Sequence, residues 1–140
     1  MIRDGGTEGW TTDTAILDGL PAERPVVLGE GGSARAFLEG LSDARQFARR
    51  GVWPPDVTGA DLVVNATSER ADVLVELDAD QTLIDLPYPE TATAASARRA
   101  GARVVTGLDV LVAQGAASFE LWTAQKAPID AMRDALGFPA

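Results

Sequence analysis

At 140 residues and 46% hydrophobic content, the chain has the length for one compact domain and is short for two. Acidic residues outnumber basic ones 21 to 12, and the formal charge of −9 repels phosphate backbones and anionic headgroups, which disfavours nucleic-acid and membrane-surface roles. The absence of cysteine and histidine removes thiolate chemistry, histidine triads and the usual metal ligands, so no metal is expected.

No apolar run approaches the roughly 20 residues that span a bilayer, and residues 1–9 lack a basic region followed by an apolar one, so the expected location is the cytoplasm. Residues 1–20 precede the first core strand, with Asp4-Gly5-Gly6 suited to a hairpin turn and residues 14–20 to a short helix. They read as the tail of another unit, and the main domain is expected over residues 21–140. Pro25-Val26-Val27-Leu28 predicts a strand that runs into Gly29-Glu30-Gly31-Gly32-Ser33-Ala34-Arg35, after which Ala36, Phe37, Leu38 and Leu41 give a helical spacing. Residues 44–49, centred on Phe47, predict a second strand ending in Arg49-Arg50. Residues 51–59, with Trp53-Pro54-Pro55, predict a loop.

Leu62-Val63-Val64-Asn65-Ala66-Thr67 is a β-branched run of strand length, followed by a weak helical segment over residues 73–77. Gln81-Thr82-Leu83-Ile84-Asp85-Leu86 predicts a fourth strand, closed by Pro87-Tyr88-Pro89. Residues 91–100 predict an alanine-rich helix with Arg98 and Arg99 near its end and Gly101 beyond it. A fifth strand follows at Arg103-Val104-Val105. Leu108, Leu111, Val112, Ala116, Phe119 and Trp122 form a helical stripe, and a last helix is expected over residues 129–136. Apolar strands alternating with helices indicate a doubly wound α/β domain, a Rossmann-like parallel sheet flanked by helices.

Gly29, Gly31 and Ala34 satisfy G-x-G-x-x-G/A directly after a strand and at a helix start. The first glycine permits the tight turn, the second lets main-chain N–H groups approach a diphosphate, and the third small residue lets helix pack on strand. An acidic residue about 20 positions beyond such a turn suits NAD, whereas arginine suits the 2′-phosphate of NADP. Arg49 and Arg50 stand there, and their guanidinium forks match phosphate geometry. Glu30 opposes a diphosphate unless it points into solvent.

The order of motifs resembles shikimate dehydrogenase. Gly9-Trp10-Thr11-Thr12-Asp13 is similar to that family's G-x-N-T-D, and residues 29–35 to its G-A-G-G-A-A-R, which places Gly32 and Ser33 beside the cofactor. Asn65-Ala66-Thr67 resembles its N-A-T-P, and Asp85-Leu86-Pro87-Tyr88-Pro89-Glu90-Thr91 its D-x-x-Y-x-P-x-x-T with one residue fewer. Residues 107–123 resemble its G-L-x-M-L-V-x-Q-A-A-x-x-F-x-L-W-T. The resemblance implies NADP-dependent reduction of 3-dehydroshikimate to shikimate. It implies that Asp13 pairs with a catalytic lysine and bonds substrate, that Gln114 and Tyr88 contact substrate, and that Asn65, Thr67 and Gly107 line the cofactor. It further implies that Arg49 or Arg50 holds the 2′-phosphate.

The family's lysine lies upstream of Asp13 in a substrate domain, so this chain is expected to supply the cofactor half and not to turn over alone. Lys126 is its only lysine and is expected at the surface, in the connection after the long helix. Two other readings remain: a non-catalytic nucleotide-binding or regulatory module of the same fold, and a quinate/shikimate dehydrogenase. A small-molecule substrate is the expected partner. Apolar surface normally covered by a substrate domain predicts self-association, with a homodimer as its simplest form.

Overall fold

The computed structural model describes residues 15–137. Five short strands form one parallel sheet: β1 (Pro25–Leu28), β2 (Arg45–Phe47), β3 (Leu62–Asn65), β4 (Thr82–Asp85) and β5 (Arg103–Thr106). They lie in the order β2-β1-β3-β4-β5, so the chain reverses its direction of winding between β1 and β3. Every side chain of β1, β3 and β4 is buried. Strands of four residues form few ladder hydrogen bonds, and burial decides their persistence: a fully buried valine or leucine contributes about 1.5–3 kcal/mol.

The two-residue repeat of the strands divides the core into two layers. Val26, Leu28, Val63 and Leu83 point to one face, where Ala94 and Ala97 of helix α2 (Ala92–Arg99) cover them. Val27, Val64 and Ile84 point to the other, against Ala34 and Phe37 of α1 (Gly32–Gly40) and Val110 of α3 (Gly107–Thr123). A fourth helix, α4 (Ile129–Ala135), packs on α3. The fold is therefore the doubly wound α/β domain expected, with helices on both faces. A 3-10 turn at Ala15–Leu17 brings Ile16, Leu17 and Leu20 against the second layer.

Local signals account for the helix boundaries. Thr91 caps α2 by accepting a hydrogen bond from the Ala94 amide, and the chain leaves that helix through Gly101 at φ +87°. Thr106 and Asp109 close a capping box on α3, each side chain accepting from the other's main-chain N–H.

One expectation fails. Residues 73–77 form no helix. Val75 and Leu77 are buried while Glu76 and Asp78 are exposed, a two-residue alternation, and the Leu74 amide donates to Oγ1 of Thr93 on α2 instead of to a helical carbonyl. The helix expected from the apolar stripe between Leu108 and Trp122 forms as α3. Val110, Val112 and Ala116 are buried on it, whereas Leu111 is 49% and Trp122 86% exposed.

Candidate functional site

The glycine turn sits where β1 ends, at the point where the winding reverses, the position at which open parallel sheets bind ligands. Gly29 adopts φ +116°, and a Cβ there would lie 2.8 Å from the Ala66 carbonyl oxygen. The residue is thus fixed by strand-to-strand closeness as well as by backbone conformation. Its amide donates to the Phe47 carbonyl, and its own carbonyl accepts from Nε2 of Gln46, which ties the turn to β2. Gly31 and Gly32 differ. A Cβ on either would meet nothing within 4 Å, and both are exposed. Gly31 caps α1 without a side-chain hydrogen bond, and the Gly32 and Ser33 amides of the first turn have no acceptor among the described residues. Ala34 is fully buried, so its part is to seat α1 on the sheet.

Gly29, Glu30 and Gly31 form one wall of a cavity of about 500 Å³. The remaining walls come from Ala48, Arg49, Arg50 and Trp53 beyond β2 and from residues 66–69 beyond β3. Both arginines therefore line the same crevice as the glycines. They are held differently. The Arg49 guanidinium lies 5.0 Å from the centre of the Trp53 ring, a cation–π arrangement, whereas Arg50 Nε stands 3.6 Å from Oε1 of Glu30. Glu30 is thus engaged by a cation at the rim of the loop.

Beyond β3 a buried network shapes the floor. Asp85 at the end of β4 accepts from Nδ2 of Asn65 at 2.9 Å and from Oγ1 of Thr91. Asn65 in turn accepts from the Thr67 amide at 3.1 Å and from the Thr67 hydroxyl at 2.7 Å. These bonds, with one from the Glu69 amide to the Thr67 hydroxyl, fix Thr67 in the crevice wall. Burial pushes the Asp85 carboxyl above its ordinary range, against the opposing effect of its Asn65 and Thr91 donors.

The C-terminal domain of shikimate 5′-dehydrogenase matches residues 107–136. A shikimate dehydrogenase (NADP(+)) of Anaeromyxobacter sp. strain K is 34% identical over 96% of the chain and 63% of its own length. That of Moorella thermoacetica is 36% identical over 82% of the chain and 54% of its length. The solved shikimate 5-dehydrogenase of Thermus thermophilus, in complex with NADP(H) and shikimate, superposes with a TM-score of 0.71 at 28% identity, covering 89% of this chain and 60% of that one. Over nearly its whole length the chain is similar to shikimate dehydrogenases, and residues 107–136 match their C-terminal domain. It spans about three-fifths of the length of such relatives. The alignment to the Anaeromyxobacter protein runs over 176 positions against 140 residues, so that relative carries residues within the matched region that this chain lacks.

The other positions that the shikimate dehydrogenase resemblance singled out are dispersed. Gln114 lines a cavity of about 220 Å³ with Gly32, Ser33, Ala36, Phe37, Leu86 and Val110, adjoining the glycine turn. Tyr88, 64% exposed, lines a different one of about 530 Å³ with Asp85, Arg98, Asp109 and Arg133 among others. The two residues expected to touch one substrate therefore open on separate cavities. Gly107 begins α3, where a Cβ would overlap the Leu86 carbonyl oxygen, so close packing by itself requires glycine there. Asp85 ends β4, and Asp109 stands in the first turn of α3. Lys126 is exposed in the α3–α4 connection. Asp13 and the rest of the motif over residues 9–13 lie outside the described residues.

Sequence reasoning missed Trp53, Ser68 and Glu69 as cavity walls. An aromatic three residues after a pair of arginines was a usable signal for Trp53, but the prolines that follow drew attention to the break in the chain. Glu69 gave none. Its carboxylate accepts from the Ala71 and Asp72 amides, and these bonds, the Asp72 one foremost, hold it below the ordinary carboxylate range.

Proposed function

We propose that this chain is the NADP-binding half of a shikimate dehydrogenase. The observation that carries the reading is the convergence of Gly29, Gly31, Arg49 and Arg50 on one crevice at the reversal of the sheet. The residues fit the cofactor. Open space over Gly31 and Gly32 would admit a diphosphate to the amides of α1, and the two guanidinium groups lining the same crevice would pair with a 2′-phosphate. Thr67, held by Asn65, lines the same crevice. Bound NADPH would supply a hydride to the ketone carbon of 3-dehydroshikimate, with a proton passing to its oxygen to give shikimate. Gln114, which lines a cavity with Gly32 and Ser33, is the residue assigned here to meet such a substrate.

Lys126, the only lysine, borders Glu120, Ala124 and Gln125 and shares no wall with the crevice. The proton-transfer group would thus come from outside residues 15–137. The same observation favours a second reading, a nucleotide-binding module without chemistry. Titration of the 140-residue chain with NADPH and NADH, followed by nicotinamide fluorescence, tests the first claim: NADPH should bind more tightly, and tighter binding of NADH would refute it. A shikimate- and quinate-dependent NADP reduction assay tests the division of labour, which turnover by this chain alone would overturn.

A further inference from the structure

We infer that Glu30 sets cofactor selectivity by competing with the 2′-phosphate of NADP for Arg50, an inference that rests on the crevice being an NADP site. The two arginines that line the crevice are not equivalent. Arg49 is seated on the Trp53 ring, and the acidic residue in its field, Glu69, is tied down by the Ala71 and Asp72 amides. That acid cannot follow Arg49 without giving up two hydrogen bonds. Arg50 has an 89% exposed side chain, no ring beneath it, and its Nε turned towards Oε1 of Glu30 at 3.6 Å. Glu30 itself has no other side-chain partner among the described residues.

A phosphate engages guanidinium best through two parallel N–H bonds, and one of the two favoured edges includes Nε–H. Glu30 stands at that edge. NAD, which lacks the 2′-phosphate, makes no such demand on Arg50, so the competition falls on NADP alone. Glu30 also lies within the turn that would cradle the diphosphate, and any direct repulsion from there would weaken both cofactors alike. These two effects have different signatures. Competition changes the ratio of NADPH to NADH affinity, and repulsion does not. Arg49 is then the fixed phosphate contact and Arg50 the adjustable one, its availability governed by an acid on the neighbouring loop.

The test is a double-mutant cycle on the 140-residue chain, with Glu30→Gln, Arg50→Ala and the double variant titrated with NADPH, NADH, adenosine 2′,5′-bisphosphate and adenosine 5′-phosphate. Glu30→Gln should tighten NADPH and the bisphosphate by about threefold to fivefold, the scale of an exposed ion pair, and change the ligands lacking a 2′-phosphate by less than about twofold. In the Arg50→Ala background the gain should vanish. Equal tightening of all four ligands, or a gain that survives loss of Arg50, would overturn the inference while leaving the NADP site intact. Wild-type protein that binds the bisphosphate no better than adenosine 5′-phosphate would instead remove the site itself. Glu30→Ala serves as the second variant should glutamine disturb the turn, and matching thermal melts confirm that either variant is folded.

Discussion

Alanine at Gly29 and at Gly31 should produce opposite defects, although the two glycines are two residues apart in one turn. At Gly29 the backbone has φ +116°, a conformation that costs a residue with a Cβ about 1–3 kcal/mol. The new Cβ would also lie 2.8 Å from the Ala66 carbonyl oxygen, a main-chain atom held by the ladder of β3, and such overpacking costs about 1–3 kcal/mol more. The sum, about 2–6 kcal/mol, corresponds to a fall in melting temperature of roughly 6–20 °C for a domain of this size. At Gly31, φ is −80° and no atom lies within 4 Å of the added Cβ, so stability should change by less than about 0.5 kcal/mol. That Cβ projects into the space proposed for the diphosphate, and NADPH affinity should fall at least about tenfold, or 1.4 kcal/mol. Thermal melts by circular dichroism with parallel NADPH titrations separate the two. A Gly31→Ala variant that binds NADPH like the wild type would refute the cradle, and an unshifted melt for Gly29→Ala would refute the steric argument.

Two further outcomes are expected. Although burial pushes Asp109 upward, the Thr106 amide and Arg133, 3.1 Å away, together hold its carboxyl below the ordinary range. Its folded pKa is depressed, so the stabilisation is present above the unfolded value near 4 and is lost as pH falls through the folded one; Asp109→Asn should cost about 1 kcal/mol at pH 7 and little at pH 2, read by urea unfolding at both. Trp122, 86% exposed beside the 53% exposed Leu121, should drive concentration-dependent self-association in sedimentation velocity, and Trp122→Ser should reduce it; a monodisperse wild-type monomer at high concentration would contradict this.

The elements legible in the sequence are those whose cause is local. Pro25–Leu28 reads as a strand because four apolar residues stop at glycine, and Ala92–Arg99 reads as a helix because Thr91 caps it and Gly101 ends it. The crevice was legible for a related reason: turn chemistry and the distance to Arg49 and Arg50 are both properties of short stretches of chain. What escaped depends on partners far along the chain. Residues 73–77 have a helix-compatible composition, and only the hydroxyl of Thr93, 19 residues beyond Leu74, shows why they form no helix. Asn65 reads as one more polar strand end until Asp85, 20 residues later, is found to accept its amide. The separation of Tyr88 from Gln114 was likewise hidden, since motif order carries no information on which side of α3 a residue opens.

The same division explains why the site is built at the seam of the sheet and not on either helix. Parallel strands end together, so the loops after β1, β2 and β3 must share one edge, and each lines the crevice with different groups: Gly29 to Gly31 from the first, Arg49 and Arg50 from the second, residues 66–69 from the third. Those groups stay aligned only if the loops are fixed to one another. Gln46 ties the second to the first through the Gly29 carbonyl, and the close approach of Gly29 to Ala66 ties the first to the third. Asp85 extends the linkage to β4 by holding Asn65 and, through it, Thr67. A carboxylate whose pKa is raised by burial is a costly anchor unless its bonds are needed. The position of Asp85 therefore makes sense as the outer brace of the crevice: it gives up part of its own hydration to accept the Asn65 and Thr91 hydrogen bonds, and the third loop is thereby held in place.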